Sequence, residues 1–255
     1  MPQSEFSDQV AIVTGAGQGI GFEICRQLAM HGAVVVLNDV DPLIANNAAA
    51  LIKKDGGNCI AMAGDVGDTA FTRQLVEQTV QQFGKINIAI ANAGITLFSD
   101  FFEYTPESFY KVLQVNMGGT FFLTQTAAKY MKEQKEGGSI LYTSSVVGHQ
   151  AHKQLAAYAM TKAGIEMLAR NLVIELAQYN INVNAIAPGA TLTERTQEDA
   201  EYEETWSRLS PTGRPSTAKD IAEAALFLVS KKAKQITGQT LIIDGGWSAI
   251  SPSPF

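Results

Sequence analysis

The sequence predicts an α/β protein, a doubly wound parallel sheet of about seven strands with helices on both faces. Three observations carry that expectation. Short apolar, β-branched runs alternate with helical patterns along the chain. A glycine-rich turn joins the first run to the first helical pattern. Polar residues follow directly on several runs, at the carboxyl edge where open parallel sheets bind ligands.

Val10–Thr14 has the pattern of a buried strand and leads through Gly15-Ala16-Gly17-Gln18-Gly19-Ile20-Gly21 into a helical pattern from Phe22 to Ala29. Glycines there permit positive φ and close approach of a ligand, and a helix N-terminus offers free N–H groups to a diphosphate. The spacing is Thr-Gly-x-x-x-Gly-x-Gly and not Gly-x-Gly-x-x-Gly, because position 20 is Ile and position 22 is Phe. Further strands are expected at Ala33–Leu37, Asn58–Ala63, Ile86–Ala91, Ser139–Thr143, Asn182–Ala187 and Thr240–Ile243. Helical patterns lie between them, at Asp41–Lys54, Asp68–Phe83, Pro106–Lys132, Ala156–Tyr179 and Ala218–Ser230. Such alternation implies right-handed crossovers between parallel strands. Asp39, Asp65, Asn92, Ser145 and Pro188 all fall just behind expected strands and converge on one edge.

Tyr158 and Lys162 stand four apart on a helical pattern, so they project from one face. A phenol is a poor base at neutral pH, and a fixed positive charge beside it favours the phenolate. Reversible proton transfer to an alcohol oxygen needs a group tuned in that direction. Ser145 lies thirteen residues before Tyr158. No Gly-x-Ser-x-Gly elbow surrounds it or Ser144, which disfavours a serine hydrolase.

Composition bounds the remaining classes. The 255 residues are 46% hydrophobic, enough for a sizeable core, and no shift in composition marks a linker, so one domain over 1–255 is expected. A net charge of −6 argues against a general nucleic-acid or anionic-membrane surface. Lys231-Lys232-Ala233-Lys234 reads as a solvated helix end or turn. Met1–Gln9 is polar with two acidic residues and lacks the apolar core of a secretory signal. No stretch is long and apolar enough to span a bilayer, and a cytoplasmic protein is expected. Cys25 and Cys59 read as small core residues. His31, His149 and His152 form no metal set, and no metal is expected. His31 ends the first helical pattern, where the macrodipole favours a cation.

Thr14-Gly15-x-x-x-Gly19-x-Gly21, Asn92-Ala93-Gly94, Asn116, Ser145, Tyr158-x-x-x-Lys162 and Pro188-Gly189 stand in the order and spacing of short-chain dehydrogenases/reductases. The chain resembles that family from about Val10 through Asp244-Gly245-Gly246. The resemblance implies a Rossmann-type domain, a nicotinamide cofactor, a homotetramer and a serine-tyrosine-lysine site. In it Ser145 positions the substrate oxygen, Tyr158 exchanges the hydroxyl proton, Lys162 tunes the tyrosine and binds ribose, and Asn116 holds a water in the proton path. Without the resemblance Asn116 reads as a surface or capping residue. Cofactor contacts are expected from Gly15, Gln18, Gly19 and Ile20, from Asp65-Val66 against the adenine, from Asn92-Ala93-Gly94, and from Tyr158 and Lys162. Pro188 and Gly189 are expected at the nicotinamide end, with the Thr191 main chain and the Thr193 hydroxyl. Asp65 alone reads equally as a turn or cap residue, and Asn92-Ala93-Gly94 as a plain turn.

Asp39 bears on the choice of cofactor. It ends the second strand eighteen residues beyond Gly21, where a carboxylate hydrogen-bonds ribose hydroxyls and repels the extra phosphate of NADP. Gln18 and Val40 offer that phosphate no cation, so NAD is expected. A cap for the next helix is the other reading of Asp39, although Asp41 is also available.

The expected function is NAD-linked oxidation of a secondary alcohol, a sugar or polyol, or reduction of the corresponding ketone. His149, Gln150 and His152, between Ser145 and Tyr158, and Glu194, after the Pro-Gly turn, are candidates for holding substrate hydroxyls. The histidines read otherwise as exposed loop residues. Glu194–Pro215 is charged, contains Trp206 and reads as a substrate lid, at about 190–215, or as an ordinary surface segment. A 3-oxoacyl-carrier-protein reductase shares the motif set and would need a basic docking patch. The family's docking arginines are here Glu136 and Tyr179, with Lys129, Lys132 and Lys135 close by. A non-catalytic dinucleotide-sensing regulator is a third reading, disfavoured because sensing needs no Ser145, Tyr158 and Lys162.

Overall fold

The apolar runs become strands because their β-branched and small side chains suit a sheet that helices cover on both faces. The computed structural model describes residues 4–251. In chain order the elements are β1 (Val10–Val13), α1 (Gly19–Met30), β2 (Val34–Leu37), α2 (Pro42–Lys54), β3 (Asn58–Ala61), α3 (Thr69–Phe83), β4 (Ile88–Ala91), α4 (Pro106–Leu113), α5 (Thr120–Glu133) and β5 (Gly138–Thr143). There follow α6 (Ala156–Leu176), β6 (Ile181–Pro188), β7 (Thr191–Leu192), α7 (Tyr202–Leu209), β8 (Ser216–Thr217), α8 (Ala218–Val229) and β9 (Thr240–Ile243). Seven strands pair in parallel in the order β3-β2-β1-β4-β5-β6-β9. This is the Rossmann-type, doubly wound sheet that the sequence predicts. The order reverses between β1 and β4, and that reversal opens a crevice at their carboxyl ends.

Alternation along the strands splits the core in two. Ala11 and Val13 face Ile24, Leu28, Ile52, Ile221 and Ala225 of α1, α2 and α8. Ile12 faces the other way, into the cluster holding Leu75, Leu123, Ala127, Ile165 and Ala169 of α3, α5 and α6. Cys25 and Cys59 lie in the first cluster, and burial pushes the Cys59 thiol up to about 12 and that of Cys25 well above its ordinary value. Among the described residues no helix is long and apolar enough to cross a membrane.

Strand boundaries lie within two residues of those read from the sequence. The single helix expected over Pro106–Lys132 is instead α4, a π-helical stretch at Gln114–Gly119, and α5. Asn116 is the reason: its side chain leaves the helix surface to bond the Ile95 backbone twice, and Thr120 Oγ1 donates back to the Asn116 carbonyl. A side chain so engaged widens the turn around it, and π-bulges recur at functional sites for that reason. Strand β7 and helix α7 lie in the segment read as a lid, and β8, which pairs with β7, follows directly on it.

Candidate active site

The turn after β1 is held by a polar clamp. Thr14 Oγ1 accepts from the Asn92 and Ala93 N–H groups at 3.1 and 3.2 Å. The Asn92 amide donates to the carbonyls of Thr14 and Gly15 at 3.0 and 2.8 Å, and its oxygen accepts from Thr143 Oγ1 at 3.1 Å. Gly15 sits at φ +58°, and a Cβ on it would come 2.6 Å from the Ala93 Cα. Only glycine permits both the left-handed backbone and that approach. The turn then opens into α1 at Gly19, with Gln18 as an N-cap that makes no side-chain bond.

Asp39 faces this turn. Its Oδ2 accepts from Gly17 N–H at 3.0 Å and its Oδ1 from Asp41 N–H at 3.2 Å. Asp41 is the residue that caps α2, accepting from Leu43 and Ile44. Asp65 closes its own turn on Gly67 N–H and pairs with Lys111 at 3.1 Å. The Gly67 bond and that cation hold its carboxyl below the usual range, against a smaller effect of burial.

At the other end Lys162 is buried, with Nζ donating to the Thr143 carbonyl at 2.6 Å and lying 5.3 Å over the Tyr158 ring. The ammonium thus meets the face of the phenol ring, a favourable cation–π arrangement. A Cβ on Gly94 would stand 3.3 Å from that Nζ and 3.4 Å from Asn116 Oδ1, so this glycine leaves the ammonium its place. Asn116 is buried behind it and also donates to Thr161 Oγ1 at 3.1 Å. Ser145 Oγ points back to Val147 N–H at 3.4 Å. Ser144, its neighbour, is buried and donates to Glu166 Oε1 at 2.6 Å.

One cavity of about 920 Å³ collects most of these groups, but Asn116, its side chain engaged by Ile95 and Thr161, is not in its lining. Gly15, Gln18, Gly19, Ile20, Asp39, Asp65 and Val66 line it. So do Asn92, Ala93, Gly94, Ser145, Tyr158, Lys162, Pro188, Gly189, Thr191 and Thr193. A glycine turn at a helix start, with a carboxylate at the next strand end, suits a dinucleotide, and the volume is in the range of ligand pockets.

Several expected contacts lie elsewhere. His149 and Gln150 do not line the cavity. His149 Nδ1 is 3.6 Å from Glu166, and Gln150 has its amide oxygen buried without a partner. The cause is the short 3₁₀ turn Val146–Gly148, which carries the chain away from the site before these residues. His152 does line the cavity. Glu194 reaches the glycine turn and not the substrate end: its Oε2 accepts from Gly19 N–H at 2.9 Å. Both main-chain groups of Thr191 are engaged within its own segment, the N–H by Tyr202 OH at 3.1 Å and the carbonyl by Thr196 Oγ1 at 3.0 Å. Thr193 Oγ1 lies 3.3 Å from Thr196 Oγ1.

An aromatic wall is the feature that the sequence reading misses. Phe98, Tyr202, Trp206 and Trp247 line the cavity, Trp247 packs with Tyr158 against Val146, Val147 and Leu155, and the rings of Trp206 and Trp247 meet edge to face at 5.2 Å. Trp247 follows the last strand as Asp39 and Ser145 follow theirs, so the same carboxyl-edge rule reaches it. At the family's docking position, Lys132 Nζ lies 4.7 Å over the Tyr179 ring.

The chain is similar to known proteins over nearly its whole length. The family model described as enoyl-(acyl carrier protein) reductase matches residues 15–248. L-rhamnose-1-dehydrogenase of Scheffersomyces stipitis is 37% identical over 250 residues, covering 93% of this chain and 95% of that one. L-rhamnose 1-dehydrogenase (NAD(P)(+)) of Azotobacter vinelandii is 35% identical, covering 94% and 96%. Versicolorin reductase 1 of Aspergillus parasiticus is 36% identical, covering 93% and 95%. A crystal structure of a short-chain type dehydrogenase/reductase from Mycobacterium marinum superposes with TM-score 0.91 at 30% identity, covering 97% and 98%.

Proposed function

The chain belongs to the short-chain dehydrogenase/reductase family, and on that premise we propose that it is an NAD-dependent dehydrogenase of a sugar, L-rhamnose or a related aldose. The observation that carries this reading is the single cavity lined by the glycine turn, Asp39, Ser145, Tyr158 and Lys162. The names of the relatives from S. stipitis and A. vinelandii support a sugar hydroxyl as the reacting group.

The nicotinamide cofactor, when bound, supplies the hydride acceptor. The chain's own residues do the rest. Ser145 holds the substrate oxygen against Tyr158, and the Tyr158 oxygen takes the hydroxyl proton as the carbon gives up its hydride. Lys162 stabilises the phenolate form of Tyr158 that accepts this proton and is neutralised by it, and reaches the ribose of the cofactor. Asn116 fixes the backbone at Ile95 beside Lys162 and supports the proton path. The aromatic wall excludes water and offers apolar faces to the C–H side of a sugar ring. Residues 190–215 form the proposed cover. The whole chain is proposed to act as one domain of a homotetramer in the cytoplasm. Exposed Phe121, Phe122, Met160, Met167 and Ile174 on α5 and α6 support self-association, and two free cysteines suit a reducing compartment.

An NAD-reduction screen against aldoses and polyols tests the reading: turnover of at least one sugar is expected, and none at all contradicts it. Cofactor choice has its own test. NAD should be preferred over NADP, and Asp39→Ala should cut kcat/KM for NAD by roughly ten- to a hundredfold, the scale of losing charged hydrogen bonds. Equal or better use of NADP by the unmodified protein refutes the role of Asp39. A second reading, a 3-oxoacyl-carrier-protein reductase, draws on the cation over Tyr179 and on the description of the family model.

A further inference from the structure

We propose that Glu194 is an internal stand-in for the diphosphate of the cofactor, and that the dinucleotide binds by displacing its carboxylate from the start of α1. The inference rests on the dinucleotide reading above and adds an affinity-setting contact to it. The first turn of α1 contains no acidic residue, and its N-cap, Gln18, makes no side-chain bond. The positive end of the helix therefore has no anion from its own first turn, and the Asp39 carboxylate is taken up by Gly17 N–H. Glu194, 175 positions away, fills the gap: its Oε2 accepts from Gly19 N–H at 2.9 Å. Gly19, at φ +61°, has no side chain to stand between them, and its neighbour across the gap is Thr193.

That N–H is the donor that a helix start presents to a diphosphate in this fold. Two anions cannot share it. A bound dinucleotide must drive Glu194 off Gly19, and Glu194 is exposed and held there by one hydrogen bond, so it is free to leave. Its departure pulls on a turn that Thr196 braces through Thr191 and Thr193. Beyond that turn α7 carries Trp206, which meets Trp247. Arg195, next to Glu194 in the chain, also lines the cavity. Entry of the cofactor is thereby tied to resetting the segment over the substrate end.

The test compares ADP-ribose, which has the diphosphate, with adenosine, which lacks it, in the unmodified protein and in Glu194→Gln and Glu194→Ala. Affinity is read by calorimetry. The intrinsic fluorescence of the chain's two tryptophans, Trp206 and Trp247, reports the movement. Both variants should bind ADP-ribose more tightly by roughly two- to thirtyfold, the scale of a helix-terminal charge interaction. Adenosine affinity should not move, and ADP-ribose should change the tryptophan emission of the unmodified protein. Unchanged or weaker ADP-ribose binding in both variants overturns the proposal. A fall in thermal stability without tighter binding does so as well, since it reduces Glu194 to a helix cap. If ADP-ribose binds none of the three proteins, the dinucleotide reading falls and takes this proposal with it; equal binding by all three removes only the role of Glu194.

Discussion

Replacing Tyr158 by phenylalanine is expected to lower turnover by on the order of 10² or more, the usual scale for losing general acid–base catalysis. The substitution removes one oxygen and keeps the ring. The Lys162 ammonium lies over that ring at 5.3 Å, so its cation–π partner survives the change. The ring also stays packed with Val146, Val147 and Leu155. Folding and NAD affinity should therefore stay close to those of the unmodified protein, which thermal unfolding and a binding titration would show. A Tyr158→Phe protein that turned over at a near-normal rate would put the acid/base group elsewhere in the cavity.

Lys162→Met should damage two functions at once. The ammonium is buried and gives a hydrogen bond of 2.6 Å to the Thr143 carbonyl. Methionine keeps much of the apolar stem but leaves that carbonyl unpaired, at a cost of about 1–3 kcal/mol for a buried acceptor. On the proposed mechanism it also removes the charge that stabilises the phenolate, so kcat should fall by on the order of 10². Loss of the ribose contact should raise the Kd for NAD alongside. That double effect separates Lys162 from Tyr158, whose change should spare cofactor affinity. A Lys162→Met protein with normal NAD affinity and reduced kcat alone would confine the lysine to tuning the phenol.

How far the sequence discloses this molecule depends on the range of the contact involved. The strands are legible because each is a local apolar run, and their alternation with helices leaves few topologies to choose from. The glycine turn, Asp39 and the Tyr158–Lys162 pair are legible for the same reason: a few adjacent positions hold the whole pattern. The break within Pro106–Lys132 is not, because it depends on Asn116 finding Ile95 across the fold. Helical periodicity runs through the π stretch without a mark. Glu194 reads as a substrate residue because no local sign marks Gly19 as its partner. His149 and Gln150 share that fate: they follow Ser145 closely in sequence, and a three-residue turn carries them away from it. The aromatic wall joins Trp206 to Trp247, which no short window can bring together.

The central claim is that this site moves hydride between NAD and a sugar hydroxyl, and kcat/KM measured on both substrate classes with one preparation tests it most directly. L-rhamnose, other aldoses and polyols would be assayed with NAD, and an acetoacetyl thioester with NADH. The account predicts that a sugar gives the highest kcat/KM and that the thioester is turned over weakly. A thioester value well above that of every sugar and polyol would contradict it and hand the site to the reductase reading.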